Sequence, residues 1–533
     1  MPSSRNPVPR TRRATLAGAV ALTAVVATAC TAQATTGSTA AGAAQAKVAA
    51  QAKAIVRTSI TWGTCPPLQP GAKRDPREKC GIVTVPLDYQ HPNGKTIAIE
   101  VSEIATAKPG KKRGYLLLNP GGPALEGLDM SSTMAPTLPA SVLDSYDLIG
   151  FDPRGVGASS PMSCGLPESF AVGFPYPAAD GSIKQNIASA RAVAKDCAKI
   201  GDGLQYFTTA NTARDMDRIR IALGAAKISY WGQSYGTYLG AVYTSLFPQH
   251  TDRMVLEGAV DPGKVWQQQI ELWNQGMNDR FPDAAKLAAA NNATLGLGST
   301  TAQVTGTFLA LAARLDQKAA AIPGANLSLS GTLLREITYE LLLRNATLAD
   351  LAKFWKAADD LAAGKLTAAD ATALQQGLAD TNSPGEADVP ADNQVTMTMA
   401  LICGDASWSR NVASYAANTA AARAEYPLSD GMPDNIWPCA FWQKAPIEPP
   451  VKVTSSGPRD VLILQNRRDN ATPWQGALGM AGALGSRVGL VGTDGGGHYV
   501  YGTGSACADQ ATIAFLTRGT LPAKPEYCSG PTS

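Results

Sequence analysis

Histidine is scarce in this chain: there are three in 533 residues, His91, His250 and His498. With so few, and with no His-Glu-x-x-His run or paired cysteine knuckle, the sequence offers no cluster of metal ligands, and no metal or cofactor is expected. Charge is sparse as well. Charged residues make up 17%, with 46 basic against 43 acidic side chains and a formal net charge of +3. No basic block with interleaved aromatics occurs, so nucleic acid is not an expected partner. Long apolar runs are also missing. The Ala/Val-rich stretch from Ala14 to Ala29 is short and weakly apolar beside the roughly 20 residues of a membrane span. What is present is a hydrophobic content of 45% over a long chain, enough for one large core with an insertion.

One motif stands out. Gly232-Gln233-Ser234-Tyr235-Gly236 follows the apolar, strand-like run Ile228-Ser229-Tyr230-Trp231 and precedes a helix-like run from Thr237 to Phe247. Gly-x-Ser-x-Gly between a strand and a helix is the nucleophile-elbow pattern. The serine sits in a tight, strained turn, and side chains at the flanking glycines would strike the neighbouring strand or helix. Alone, the motif is often an ordinary turn, so the rest of the machinery has to be sought.

The search for a general base is short. His91 lies in His91-Pro92-Asn93-Gly94, a turn between two alternating strand-like runs, and His250 follows the helix after the elbow, in a loop. His498 ends the glycine-rich loop Asp494-Gly495-Gly496-Gly497-His498, after the apolar run Val488–Val491. The orienting acid is expected between nucleophile and base. Asp469 fits, because Val461-Leu462-Ile463-Leu464 leads into Gln465-Asn466-Arg467-Arg468-Asp469. The order Ser234, Asp469, His498 is that of α/β-hydrolases, unlike the chymotrypsin or subtilisin orders. Further upstream, Tyr115-Leu116-Leu117-Leu118 reads as a buried strand running into Asn119-Pro120-Gly121-Gly122-Pro123. Glycines there let backbone N–H groups approach an oxyanion, so Gly122 and Tyr235 are the expected donors. Thr472, three residues beyond Asp469, is placed to hydrogen-bond within that loop, either in the site or as a local cap. Asp152 and Arg154 are expected to brace the loop after their strand.

The expected fold class is α/β, a mostly parallel central sheet carrying an inserted helical cap. Strands are predicted near 82–88, 96–104, 114–119, 146–151, 227–232 and 253–257. Thr212 and Asp215 are expected to cap a helix whose apolar stripe is Met216, Ile219 and Leu223. The first core half spans 58–262, and Asp261-Pro262-Gly263 breaks the chain. Residues 263–446, Ala- and Leu-rich with helical spacing, form the cap, and 447–533 return to the core.

The first residues read as a targeting segment. Arg10, Arg12 and Arg13 precede the Ala/Val run, which closes on Val26-Ala27-Thr28-Ala29-Cys30. That ending resembles a bacterial lipobox with Cys30 as the lipidated residue; plain cleavage after Ala29 or Ala34 is the alternative. Thr11-Arg12-Arg13-Ala14-Thr15-Leu16 partly resembles a twin-arginine signal. Residues 1–29 are then a signal peptide and 30–57 a flexible Ala/Thr/Gly/Ser/Gln tether. The protein is expected outside the cell or on its surface, with contact to the membrane only through a lipid on Cys30. Cysteine arithmetic agrees with export. Setting Cys30 aside leaves eight of the nine, and sequential pairing is the simplest of the many connectivities: Cys65 with Cys80, Cys164 with Cys197, Cys403 with Cys439, Cys507 with Cys528.

Taken together, these segments resemble the tripeptidyl aminopeptidase branch of serine α/β-hydrolases, exported by actinomycetes and related to prolyl aminopeptidases. The resemblance rests on Cys80–Tyr89, Asn119–Pro123, Gly150–Gly155, Trp231–Thr237, Arg468–Pro473 and the tail from Gly497 to Cys528. It covers nearly the whole mature chain and implies an exopeptidase that takes peptides from free N-termini. One departure concerns the oxyanion loop: the branch usually continues with Gly-x-Ser-Gly, and this chain reads Ala124-Leu125-Glu126-Gly127. A site selecting a cationic α-amino group needs a carboxylate, and Glu126 and Glu257 are the expected ones. An esterase or amidase on the same triad is the alternative, since this fold hosts many chemistries. A peptide-binding surface lipoprotein is a third reading, disfavoured by the intact triad.

Overall fold

Runs of Val, Ile, Leu and aromatic residues with no polar alternation mark strands covered on both faces, and the chain contains several. All six residues of Tyr146–Phe151 are buried, as are the first five of Ile228–Gln233 and the first six of Val461–Arg468. The computed structural model describes residues 59–167, 174–323, 327–379 and 386–530. Cys30, the leader and the tether lie outside them. The described residues form eleven strands: β1 (Lys79–Pro86), β2 (Thr96–Ile104), β3 (Gly114–Asn119), β4 (Tyr146–Phe151), β5 (Ile228–Gln233), β6 (Thr251–Glu257), β7 (Ala320–Ala321), β8 (Ser328–Leu329), β9 (Val461–Arg468), β10 (Val488–Gly496) and β11 (Glu526–Cys528).

Nine of them form one sheet in the order β1-β2-β4-β3-β5-β6-β9-β10-β11, while β7 and β8 pair separately. β1, β2 and β4 join through antiparallel ladders, and every ladder from β4 across to β11 is parallel. The strand order reverses between β3 and β5. That is the switch point at whose carboxyl-terminal edge open α/β sheets place their ligands. Alternate side chains of β3 enter different cores. Leu117 packs with the helix Tyr235–Leu246, and Leu116 and Leu118 pack with Met130 and the helix Ala506–Arg518.

Between β6 and β9 the regular structure of the described residues is helical apart from the short β7–β8 pair. Its first part has a core of its own, where Phe281 stacks on Trp355 with ring centroids 4.9 Å apart. The later helix Asn393–Asp405, with Trp408, Trp437, Cys439 and Trp442, shares the core beneath the sheet. Among the described residues no helix is long and apolar enough to cross a membrane. All four sequential disulfides are present, Cys65–Cys80, Cys164–Cys197, Cys403–Cys439 and Cys507–Cys528. Such bonds persist in oxidising compartments.

One expectation is corrected. The helix predicted to be capped by Thr212 and Asp215 begins earlier, at Thr209, where the Thr208 hydroxyl accepts the Asn211 N–H at 3.2 Å. Thr212 turns its hydroxyl back to the Thr208 carbonyl. Asp215 is instead a buried ion-pair partner, 2.6 and 2.7 Å from the Arg154 guanidinium, and it also accepts the Tyr89 hydroxyl at 2.7 Å. Helical periodicity located the helix, and the buried arginine claimed the carboxylate.

Candidate active site

β5 ends at Gln233, and Ser234 turns the chain into the helix Tyr235–Leu246 at φ 55° and ψ −123°. This backbone region is costly for a residue with a side chain and persists only where neighbours enforce it. Here they do. The Ser234 N–H donates to the Glu257 carbonyl at 2.9 Å, and the Ser234 carbonyl accepts both the N–H and the hydroxyl of Thr237 at 2.9 and 2.6 Å. The helix begins at once, so the Tyr235 N–H heads it where the helix supplies no acceptor.

The turn after β3 abuts the elbow. Gly121 and Gly122 have φ of 95° and 106°. A Cβ on Gly121 would lie 2.3 Å from the Gln233 carbonyl oxygen, 2.9 Å from Ser234 Cβ and 3.1 Å from the Tyr235 nitrogen. Only glycine brings the two loops this close. Behind them, Asp152 is buried and accepts the N–H groups of Gly127, Leu128 and Ala158 at 2.8 to 2.9 Å, which fixes the far side of the loop.

Asp469 follows β9 and His498 follows β10, adjacent parallel strands. The His498 Nδ1 lies 3.0 and 3.1 Å from the two Asp469 oxygens. Asp469 is 1% exposed and is held from all sides. Its Oδ1 accepts the N–H groups of Ala471 and Thr472, and its Oδ2 accepts the Thr472 hydroxyl at 2.8 Å and the Gln465 amide at 3.1 Å. The Asn466 amide donates to the carbonyls of Gly497 and Tyr499, clamping the histidine loop from below. From above, the Leu343 carbonyl accepts the His498 N–H at 2.7 Å. Burial acts to lower the His498 pKa. The charge and hydrogen bond of Asp469, followed by the charges of Glu257 and Glu340, outweigh it and hold the pKa above the ordinary value. The other two histidines lie elsewhere: His91 is exposed beside Asp88, and His250 sits 2.8 Å from Asp217 against the Phe247 ring.

Neither carboxylate expected to hold an amine is free. Glu257 does not face the cleft. It is fully buried, and its two oxygens accept Trp231 Nε1, Gln233 Nε2 and the N–H groups of Val500 and Tyr501. It ends its strand, but the histidine loop folds over that end and takes its carboxylate inward. Glu126 accepts the Glu386 N–H at 2.7 Å. A carboxylate missed by the sequence reading, Glu340, stands on the inserted helix Gly331–Leu342 within electrostatic range of His498. Among the described residues no hydrogen bond or ion pair engages its side chain. Beside it the rings of Tyr339, Phe174 and Trp273 meet at centroid distances of 5.0 to 5.6 Å, and Trp273 Nε1 donates to the Ala471 carbonyl in the Asp469 loop. Helical spacing marks Glu340 only as a polar residue on an amphipathic helix.

Residues 114–505 match the family model described as alpha/beta hydrolase fold. The chain is 33% identical over 506 residues to a tripeptidyl aminopeptidase of Streptomyces lividans, covering 91% of this chain and 89% of the relative. It is 29% identical over 503 residues to the serine protease Hip1 of Mycobacterium tuberculosis, covering 90% and 93%. With carboxylesterase B of the same organism the identity is 32% over 486 residues, covering 89% and 91%. The chain belongs to the α/β-hydrolase family. Within it, the protein is an enzyme, a serine hydrolase similar to tripeptidyl aminopeptidases.

Proposed function

We propose that the protein is an exported serine exopeptidase that releases short peptides, tripeptides by preference, from free N-termini. The observation that carries the reading is the His498–Asp469 pair at the carboxyl edge of the sheet, beside a strained Ser234 with the Gly121–Gly122 turn against it. His498 takes the Ser234 hydroxyl proton as the oxygen attacks the scissile carbonyl. Asp469 holds the imidazole tautomer and stabilises the imidazolium, and the N–H groups of Gly122 and Tyr235 receive the oxyanion. The proton passes to the leaving amine, which carries the rest of the peptide. Water, deprotonated by His498, then attacks the acyl-enzyme and frees the short peptide acid. Glu340 is the carboxylate left to meet the substrate α-amino group, which is mostly cationic at neutral pH. The names of the Streptomyces and Hip1 relatives support a peptidase.

A panel of chromogenic aminoacyl, dipeptidyl and tripeptidyl amides, with N-acetylated counterparts and short-chain esters, tests this. Tripeptidyl amides with a free amine are expected to be the best substrates. Glu340→Gln should lower their kcat/KM by about 10- to 150-fold and spare N-acetylated or ester substrates, the effect of one lost charge-assisted hydrogen bond. Comparable turnover of acetylated and free peptides would overturn the aminopeptidase reading. It would favour an esterase or amidase, the reading that similarity to carboxylesterase B supports.

Export and lipidation of Cys30 belong to the same proposal. Mass spectrometry of the membrane fraction should find a diacylglyceryl group on an N-terminal Cys30, and Cys30→Ser should move protein into the medium. A mature N-terminus at Thr35 in soluble protein would sink the anchor.

A further inference from the structure

Glu257 ends β6 and is 0% exposed, yet among the described residues no arginine or lysine side chain pairs with its carboxylate. Four N–H donors surround it instead. Its Oε2 accepts Trp231 Nε1 at 3.0 Å and Gln233 Nε2 at 2.8 Å, and its Oε1 accepts the N–H groups of Val500 and Tyr501 at 2.8 and 2.7 Å. Since every partner donates, the position takes a group that only accepts; a glutamine would turn its NH2 onto two donors. The donors come from two separate places. Trp231 and Gln233 belong to β5, which leads directly into Ser234, and Val500 and Tyr501 lie just beyond His498. The Glu257 carbonyl also accepts the Ser234 N–H at 2.9 Å. The next residue, Gly258, runs under the imidazole so closely that a Cβ there would be 3.2 Å from His498 Cε1.

We infer that Glu257 is a positioning residue of the hydrolytic site: it ties the nucleophile strand to the histidine loop and sets a fixed negative charge beneath the imidazolium formed when Ser234 loses its proton. The inference rests on the Ser234–Asp469–His498 reading above. Asp469 orients the ring through Nδ1, and Glu257 acts through the backbone on either side of the reacting pair and through its field. Several other groups bear on His498. Asp469 faces it from the loop after β9 and Glu340 from the insertion, where Arg344 acts on Glu340 and on Tyr499. Tyr499 packs against its ring on the same loop, and the Arg280 guanidinium interacts with Asp469. Asp469 and Glu340, together with Glu257 itself, raise the His498 pKa. Removing the Glu257 charge therefore lets His498 lose its proton at lower pH, while the imidazolium of the transition state loses support.

The test is Glu257→Gln in the mature full-length protein, assayed across pH on an N-blocked chromogenic ester that has no amine to titrate. The expected result is a kcat lower by about 100-fold, as for misplaced reacting groups. KM should be little changed, and the acid limb of kcat/KM should move to lower pH. Glu257→Asp keeps the charge but shortens the tether by one methylene; it should lose kcat with the acid limb in place, and it decides the question if Glu257→Gln fails to fold. A folded Glu257→Gln with the wild-type kcat and acid limb, even with a lower melting temperature, would overturn the inference, as would Glu257→Asp with an unaltered kcat. Fluorophosphonate labelling of Ser234 in the unmutated enzyme separates the two readings, since absent labelling would remove the triad itself.

Discussion

The carboxyl groups of Glu386 and Asp152 lie buried within electrostatic range of each other, behind the turn that carries Gly121 and Gly122. Glu386 is 4% exposed, and Glu126 on the same turn accepts its backbone N–H. Burial, then the charges of Asp152 and Glu126, push Glu386 up to about 9. Burial also pushes Asp152 up to about 7, against the pull of its backbone N–H donors. At neutral pH Glu386 therefore keeps its proton and stands neutral beside Asp152.

The sign of the pH effect follows. Unfolded, Glu386 titrates near 4.5, so up to about pH 9 the folded chain holds the extra proton and loses stability as pH rises. Glu386→Gln supplies a permanent neutral donor. Thermal melts should show it more stable than the unmutated protein near about pH 8 and little different near about pH 4. A stability gain independent of pH would rule out the raised Glu386 pKa.

Ser234→Ala should abolish both turnover and fluorophosphonate labelling while melting like the parent. Asp469→Asn should lower kcat by about 10,000-fold, the loss expected when the imidazole is held in the wrong tautomer. Asp469 is the strongest of the charges raising the His498 pKa. Its neutralisation should therefore also move the acid limb of kcat/KM to lower pH. Labelling that survives in Ser234→Ala would take this serine out of the mechanism.

Gly121→Ala places a methyl 2.3 Å from the Gln233 carbonyl oxygen at a residue with φ 95°. The two loops then have to part. Strain at such a position costs roughly 1–3 kcal/mol, and displaced oxyanion donors lower kcat by about 100-fold or more. A kinetic assay on folded Gly121→Ala that finds the parental kcat would show that the contact does not set the donors.

Arg154 is 1% exposed and paired with an equally buried Asp215. Arg154→Met leaves that carboxylate unpaired and should cost about 3–5 kcal/mol in denaturant unfolding, whereas Arg154→Met with Asp215→Leu should recover much of the loss. A double variant no more stable than the single one would show that the guanidinium contacts to the carbonyls of Leu87 and Tyr206 dominate.

Much of this molecule is written in local pattern. Continuous apolar runs specified β3 to β6 to within two residues, because a strand covered on both faces needs such a run wherever it sits. Gly-x-Ser-x-Gly between a strand and a helix marked the elbow, since only a tight turn uses glycines in that way. Chain order then picked Asp469 and His498, which the structure brings to 3.0 Å. Neighbouring cysteines paired because the segments carrying them lie within a few dozen residues of each other and pack together. The direction in which a carboxylate points was decided only by the assembled fold. Glu257 is drawn inward by amides of a loop more than two hundred residues later, Asp215 is taken by an arginine from another strand's end, and Glu126 meets Glu386 from within the helical insertion. A strand or helix period assigns a residue to a face. The partners on that face come from elements distant in sequence, and a buried charge settles on whichever of them can satisfy it.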